Sequence, residues 1–193
     1  SVAGGVSRAF ERGQSIGCTS MQIFTRNQNQ WKCKPLEAAE IARYQELART
    51  TGIKPVVAHA SYLINLGTSA DDLWEKSVEA FGIEIERADQ LDIEGVVLHP
   101  GSHMGAGEET GMRRIAQGLD RVHAATPAAR TLTLLEITAG QGNHLGYRFE
   151  QLATIIAALD APGRVGICFD TCHALAAGYE FRQADDYQRM WDA

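Results

Sequence analysis

Val56-Val57-Ala58-His59 is a short apolar run that ends on an imidazole, and the same device recurs at Val96-Val97-Leu98-His99, Leu132-Thr133-Leu134-Leu135-Glu136 and Val165-Gly166-Ile167-Cys168-Phe169-Asp170. The end residues 59, 99, 136 and 170 lie 40, 37 and 34 positions apart, about one strand-plus-helix unit with its loops. Parallel neighbours built this way bring their C-terminal ends side by side, so two histidines and two carboxylates converge on one cation site. Side chains alternate along a strand, which puts His59 on the face of Val57, His99 with Val97, Glu136 with Leu134 and Asp170 with Cys168. In a barrel that face can point inward, above the packed core. An ionised carboxylate there is costly unless it is paired or bound to a metal. Imidazole and carboxylate together favour zinc, with manganese and iron as alternatives.

Outward from these runs the chain alternates. Periodicity predicts helices over 5–15, 36–49, 70–91, 108–125, 149–159 and 184–191, the third with Ser69 or Asp71 as cap candidates and with Trp74, Val78, Phe81, Ile85 and Ala88 on one face. Between them lie strands over 21–25, 56–59, 95–99, 131–136 and 165–170. A steady βαβα pattern belongs to an α/β fold with a parallel sheet covered by helices, here a TIM (β/α)8 barrel. A closed barrel of eight strands takes about 250 residues. Residues 1–193 are therefore expected to form a single partial TIM-barrel domain of about five strands, without the first strand and the C-terminal strands.

Hydrophobic content of 45% with 22% charged residues is that of a globular protein without a membrane span, and no run of eighteen apolar residues occurs. No basic segment followed by an apolar stretch opens the chain, and Cys18, Cys33, Cys168 and Cys172 form no CxxC pair, so free thiols in a reducing, cytoplasmic setting are expected. A net charge of −6 argues against a generally basic nucleic-acid surface. Divalent cations would reverse that sign inside one cleft.

The segments after the strands carry the remaining chemistry. His173 follows Asp170 by three residues and could bind a further ion, whereas His103 reads as a local hydrogen-bonding residue and His123, in mid-helix, as structural; His144 stays open. Asn27-Gln28-Asn29-Gln30-Trp31-Lys32 combines amides, an aromatic ring and cations, which suits a nucleic-acid backbone and an unstacked base or sugar. Trp31 could equally tuck inward, and Tyr62 could reach a ligand or cover the barrel mouth. Gly140-Gln141-Gly142-Asn143 is a flexible turn with no Walker Lys-Ser/Thr after it.

With those residues in place, the segments SVAGGV, FTRNQNQW, HASYLINLG, HPGSHMG, LEITAGQGNHLGYRFEQL and GICFDTCHALAAGY, in this order, resemble the endonuclease IV family of zinc-dependent apurinic/apyrimidinic-site endonucleases. The resemblance implies a TIM barrel holding three zinc ions at the strand C-termini, duplex DNA containing abasic sites as partner, and a monomer. It implies His59, His99 and Glu136 as ligands of one zinc, Glu136 as the bridge to a second that Asp170 also binds, and His173 as a ligand of the third. Glu136 is thereby the expected catalytic residue. The implied reaction is hydrolysis of the phosphodiester 5′ to an abasic site. Asn29, Trp31 and Tyr62 sit in segments that resemble those entering the DNA, although Asn29 stands where relatives often place Arg.

Further His, Asp and Glu ligands that the family carries beyond these segments are not found in the chain, so the 193 residues alone are expected to be inactive. Two alternatives share the pattern. One is a metal-dependent sugar isomerase or epimerase of the same architecture; the other is an inactive DNA-binding fragment. His173 and the TRNQNQW segment favour the nuclease over the isomerase.

Overall fold

Strands and helices follow one another in the computed structural model as the patterning predicts, over the described residues 2–192; Ser1, which opens the SVAGGV segment, lies outside them. The strands are β1 (Met21–Ile23), β2 (Val56–His59), β3 (Gly95–Leu98), β4 (Gly101–Ser102), β5 (Leu132–Glu136), β6 (His144–Leu145) and β7 (Val165–Cys168). The helices are α1 (Arg8–Ser15), α2 (Ala38–Thr51), α3 (Asp71–Gln90), α4 (Glu108–Ala125), α5 (Phe149–Ala157), α6 (Thr171–Ala176) and α7 (Ala184–Asp192).

Five strands form one parallel sheet in the order β1-β2-β3-β5-β7, an open portion of a TIM barrel with its helices outside. The register sets Ala58 beside Val96, Val97 beside Leu134 and Glu136 beside Cys168, so the strands end close to one level. The core lies between sheet and helices. On α3, Phe81, Ile85 and Ala88 are fully buried, as the three-and-four spacing requires, and they share the core with Val96, Leu98, Ile115, Leu119 and Leu135.

Where boundaries differ from the sequence expectation, a local cause is visible. β3 stops at Leu98 because Pro100 has no N–H to continue a ladder. β7 stops at Cys168 because Asp170 already caps α6, a helix of one and a half turns with too little sequence to show a period. α2 runs to Thr51 and ends where Gly52 takes a left-handed φ of 70°, the usual helix stop. At the head of α3 neither Ser69 nor Asp71 caps: the N-cap is Ala70, without a side-chain cap bond, and Thr68 Oγ1 accepts its N–H at 3.2 Å.

His123 is structural. It is buried on α4 with Nε2 3.0 Å from Thr133 Oγ1 of β5, and Arg164 donates to its carbonyl at 2.9 Å. Burial, helped by the Arg164 charge, pulls its pKa down to about 4. The unfolded chain then binds more protons than the folded one between pH 4 and the unperturbed value near 6.5. Stability supplied by the neutral ring is full above pH 6.5 and is lost as the pH falls towards 4. Urea unfolding at pH 7 and pH 4.5 is expected to show a stability loss smaller by about 2 kcal/mol in His123→Gln than in the parent.

Candidate metal centre

His59 is the last residue of β2, His99 the first residue past β3, and Glu136 the last of β5, so three neighbouring strands deliver one side chain each. His59 Nε2 lies 3.2 Å and His99 Nε2 3.0 Å from the same oxygen, Glu136 Oε2. Glu136 is 5% exposed and His59 likewise 5%, so both are largely out of water. His59 Nδ1 sits 2.7 Å from the carbonyl of Ala60, whose own N–H continues the sheet ladder to Val97 at 2.8 Å. Donation from Nδ1 to that carbonyl leaves the lone pair of a neutral ring on Nε2, facing a carboxylate oxygen.

Two lone-pair atoms at that distance repel unless positive charge is placed between them. A proton is one source: burial alone would lower the His59 pKa, but the hydrogen bonds to Glu136 and Ala60 and the charges of Glu136 and Glu84 hold it above the ordinary value. Burial likewise works against ionised Glu136, and the His59 and His99 donors outweigh it, holding the carboxyl at about 2. A divalent cation is the other source. The two imidazoles and the carboxylate offer ligand atoms within 4.8 Å of one another, the donor set and spacing that suit zinc.

A second group shares Glu136. Asp170 Oδ1 accepts the His173 N–H at 2.7 Å, which starts α6 immediately after β7 and holds both residues beside β5. His173 Nδ1 is 3.4 Å from Glu136 Oε1 and 4.0 Å from Asp170 Oδ1, and Glu136, Asp170 and His173 also offer ligand atoms within 4.8 Å. The same Nδ1 lies 3.0 Å from the Ile137 carbonyl, so its proton is committed there and Nε2 becomes the ring's ligand atom. Cys168 stands close by, but burial and the charges of Glu136 and Asp170 push its thiol up to about 11, which keeps it an inert neighbour.

Around this centre three loops are stitched together. Asn65 Oδ1, in the loop after β2, accepts N–H groups from Gly67 at 3.0 Å and from Ser102 of β4 at 2.8 Å. β4 pairs antiparallel with β6 of the loop after β5, Gly101 opposite Leu145 and Ser102 opposite His144, and His103 donates its N–H to Asn143 at 3.0 Å. Gly101 has φ 135°, and a Cβ there would stand 2.7 Å from the Gly67 nitrogen, so only glycine allows the approach. His103 Nδ1 accepts from Gly105 and Gly107 at 3.2 and 3.1 Å, the local role expected of it. A cavity of about 230 Å³ opens between the His59, Tyr62, His99, Asn65, Met104 and His144 side chains.

A family model described as xylose isomerase-like TIM barrel matches residues 10–192. The probable endonuclease 4 of Chloroflexus aggregans is 51% identical over 187 residues, 97% of this chain and 65% of that protein. The crystal structure of endonuclease IV from Thermus thermophilus superposes with a TM-score of 0.86 at 39% identity, over 100% of this chain and 67% of that one. The chain belongs to the endonuclease IV family. It spans about two thirds of the length of these relatives. A D-tagatose 3-epimerase-like protein, at 21% identity and a TM-score of 0.75, shares the fold alone.

In this member of the endonuclease IV family, His59, His99, Glu136, Asp170 and His173 come together as two overlapping groups. Of the DNA-contact candidates, Asn29 is exposed, Tyr62 is 58% exposed, with its ring 5.3 Å from that of His59, and Trp31 is half-buried and packs against the core. Sequence reading missed Asn65, for which an Asx turn before Gly67 was the available signal. It also missed Glu84, buried on α3 three and four residues past Phe81 and Ala80, and Arg87, buried one turn further, where a solvated face would place neither. Removing the acceptor that joins two loops leaves two N–H groups short of a partner. Asn65→Ala is expected to cost about 2 kcal/mol in urea unfolding.

Proposed function

We propose that the protein is a zinc-dependent DNA repair endonuclease acting at abasic sites, a phosphodiesterase that hydrolyses the bond 5′ to the lesion. The observation that carries this is Glu136, which belongs to two groups of close-set ligand atoms, one with His59 and His99 and the other with Asp170 and His173. A carboxylate shared between two ligand groups suits adjacent cations, and adjacent cations suit phosphodiester chemistry rather than proton movement on a free sugar. Family membership supports the same choice over the isomerase alternative.

Zinc held here would lower the pKa of a water, orient it for in-line attack and neutralise charge on the leaving oxygen. His59, His99 and Glu136 would hold one ion, Glu136 and Asp170 would share a second, and His173 would serve a third through Nε2. Glu136 would keep its ionised form throughout, since its low pKa leaves it a carboxylate at neutral pH. His59 would be held in one tautomer by Ala60 and His173 by Ile137, so neither ring needs to reorient when a substrate arrives. The exposed Asn29 and Tyr62 would meet duplex DNA beside the centre, and Trp31 would brace their segment from within. Among the described residues no helix is long and apolar enough to cross a membrane. The reading places the enzyme with DNA in the bacterial cytoplasm, acting as a monomer, with residues 1–193 supplying five strands of the barrel.

Incision of a duplex carrying one abasic site tests the reading. Cleavage 5′ to the lesion by zinc-loaded protein at the length of its relatives, with the 193 residues alone inactive, is expected; no cleavage by the longer protein would sink it. Glu136→Ala is expected to lose zinc from two sites in elemental analysis, and loss confined to one would remove the shared-ligand assignment.

A further inference from the structure

Glu84 lies on α3 with no exposed surface, yet it touches two segments that come from elsewhere in the chain. Its Oε2 accepts the Thr25 hydroxyl at 2.8 Å; its Oε1 accepts the Ser61 N–H at 3.2 Å and faces Arg26 Nε at 3.7 Å. One helical turn further, Arg87 donates to the Lys34 carbonyl at 2.8 Å and to the Thr25 carbonyl at 2.5 Å. Arg26, whose side chain is 1% exposed, donates to the carbonyls of Gln30 and Trp31. Ser61 completes the set: its hydroxyl donates to the Gln28 carbonyl at 2.6 Å and accepts the Leu63 N–H at 3.3 Å.

The carbonyls of residues 25, 28, 30, 31 and 34 are thus held by three side chains, of which Arg26 faces Glu84 directly while Ser61 is tied to it through its backbone N–H. Asn29 sits between two of the held carbonyls, and Tyr62 follows Ser61 directly. Both are exposed, while Arg26, Ser61, Glu84 and Arg87 are buried. Among the described residues, Arg26 Nε and Nη1 and Arg87 Nε have no hydrogen-bond partner, and these two buried guanidinium groups have the Glu84 carboxylate between them. Burial of such a group is costly unless it has partners to satisfy. None of the hydrogen bonds named for this network ends on a residue of the two ligand groups.

We infer that Glu84 is a positioning residue for DNA engagement: its carboxylate sets the spacing between the Asn27–Trp31 loop and Tyr62, so that the two exposed side chains act as one preformed surface. The inference rests on the reading of the protein as an abasic-site nuclease and adds to it a determinant of substrate binding that lies outside the metal centre. Its physical basis is preorganisation: a loop ordered before binding does not lose that freedom on binding.

The test uses zinc-loaded protein at the length of its relatives, with Glu84→Gln removing the charge and Ser61→Ala removing the link to Gln28 while leaving the acid buried. Both variants are expected to raise KM and the Kd for a duplex with one tetrahydrofuran abasic analogue about tenfold, with kcat and zinc content within about twofold of the parent. Trypsin is expected to cut after Lys32 about tenfold faster in both, with other sites unchanged. If Glu84→Gln fails to fold, Ser61→Ala carries the comparison. A kcat that falls in step with zinc content overturns the inference, as do unchanged Kd and unchanged cleavage in folded variants. Parent protein that neither binds nor cuts the duplex overturns the nuclease reading and the DNA role with it, while the tryptic rates still decide whether the network orders the loop.

Discussion

A carboxylate buried at the ends of three parallel strands needs positive charge around it, and Glu136 obtains it by using both oxygens. Oε2 meets the His59 and His99 rings, and Oε1 meets His173. That arrangement is available only if β2, β3 and β5 are neighbours in register and β7 lies on the far side of β5. The strand order and the ligand geometry are therefore one constraint. Shifting β5 by a single residue would turn Glu136 to the opposite face of the sheet and leave two histidines facing nothing.

Around the centre, the protein limits motion by committing backbone groups to side chains. The Nδ1 atoms of His59 and His173 are tied to carbonyls at the adjacent strand ends. Asn65 ties the loop after β2 to the loop after β3, and Glu84 with Arg87 ties the loop after β1 to the turn that bears Tyr62. Apart from the His59–Ala60 contact, each tie joins residues far apart in sequence. At the C-terminal ends of the strands the loops bond to one another as well as to their strands.

Much of this was legible from the chain. The apolar runs ending on His59, His99 and Glu136 are local information, and they located the strands and the side chains that meet at their ends; the long helices α3 and α4 were equally clear from their three-and-four spacing. Trp31 was undecidable from composition, because an aromatic in a polar segment suits either a ligand or a core, and packing decides for the core. The β4–β6 pairing could not be seen, since two residues on each side carry no pattern. Glu84 and Arg87 escaped notice for a different reason: charge on a helix is ordinarily read as solvated surface. Only the approach of Thr25, Ser61 and Arg26 makes burial tolerable there.

The β4–β6 pairing has an evolutionary consequence. Loops on barrel enzymes are usually the parts free to lengthen, shorten and acquire new specificity, one at a time. Here the loops after β2, β3 and β5 share hydrogen bonds at Asn65, Ser102 and His103, so an insertion within the bonded stretch of one would dislocate the other two. Variation is left to the segments between the ties, near Gly105 and Gly142, where added residues would project without moving the knot. Divergence in substrate range should therefore accumulate at those two points, or else require coordinated change in three loops at once.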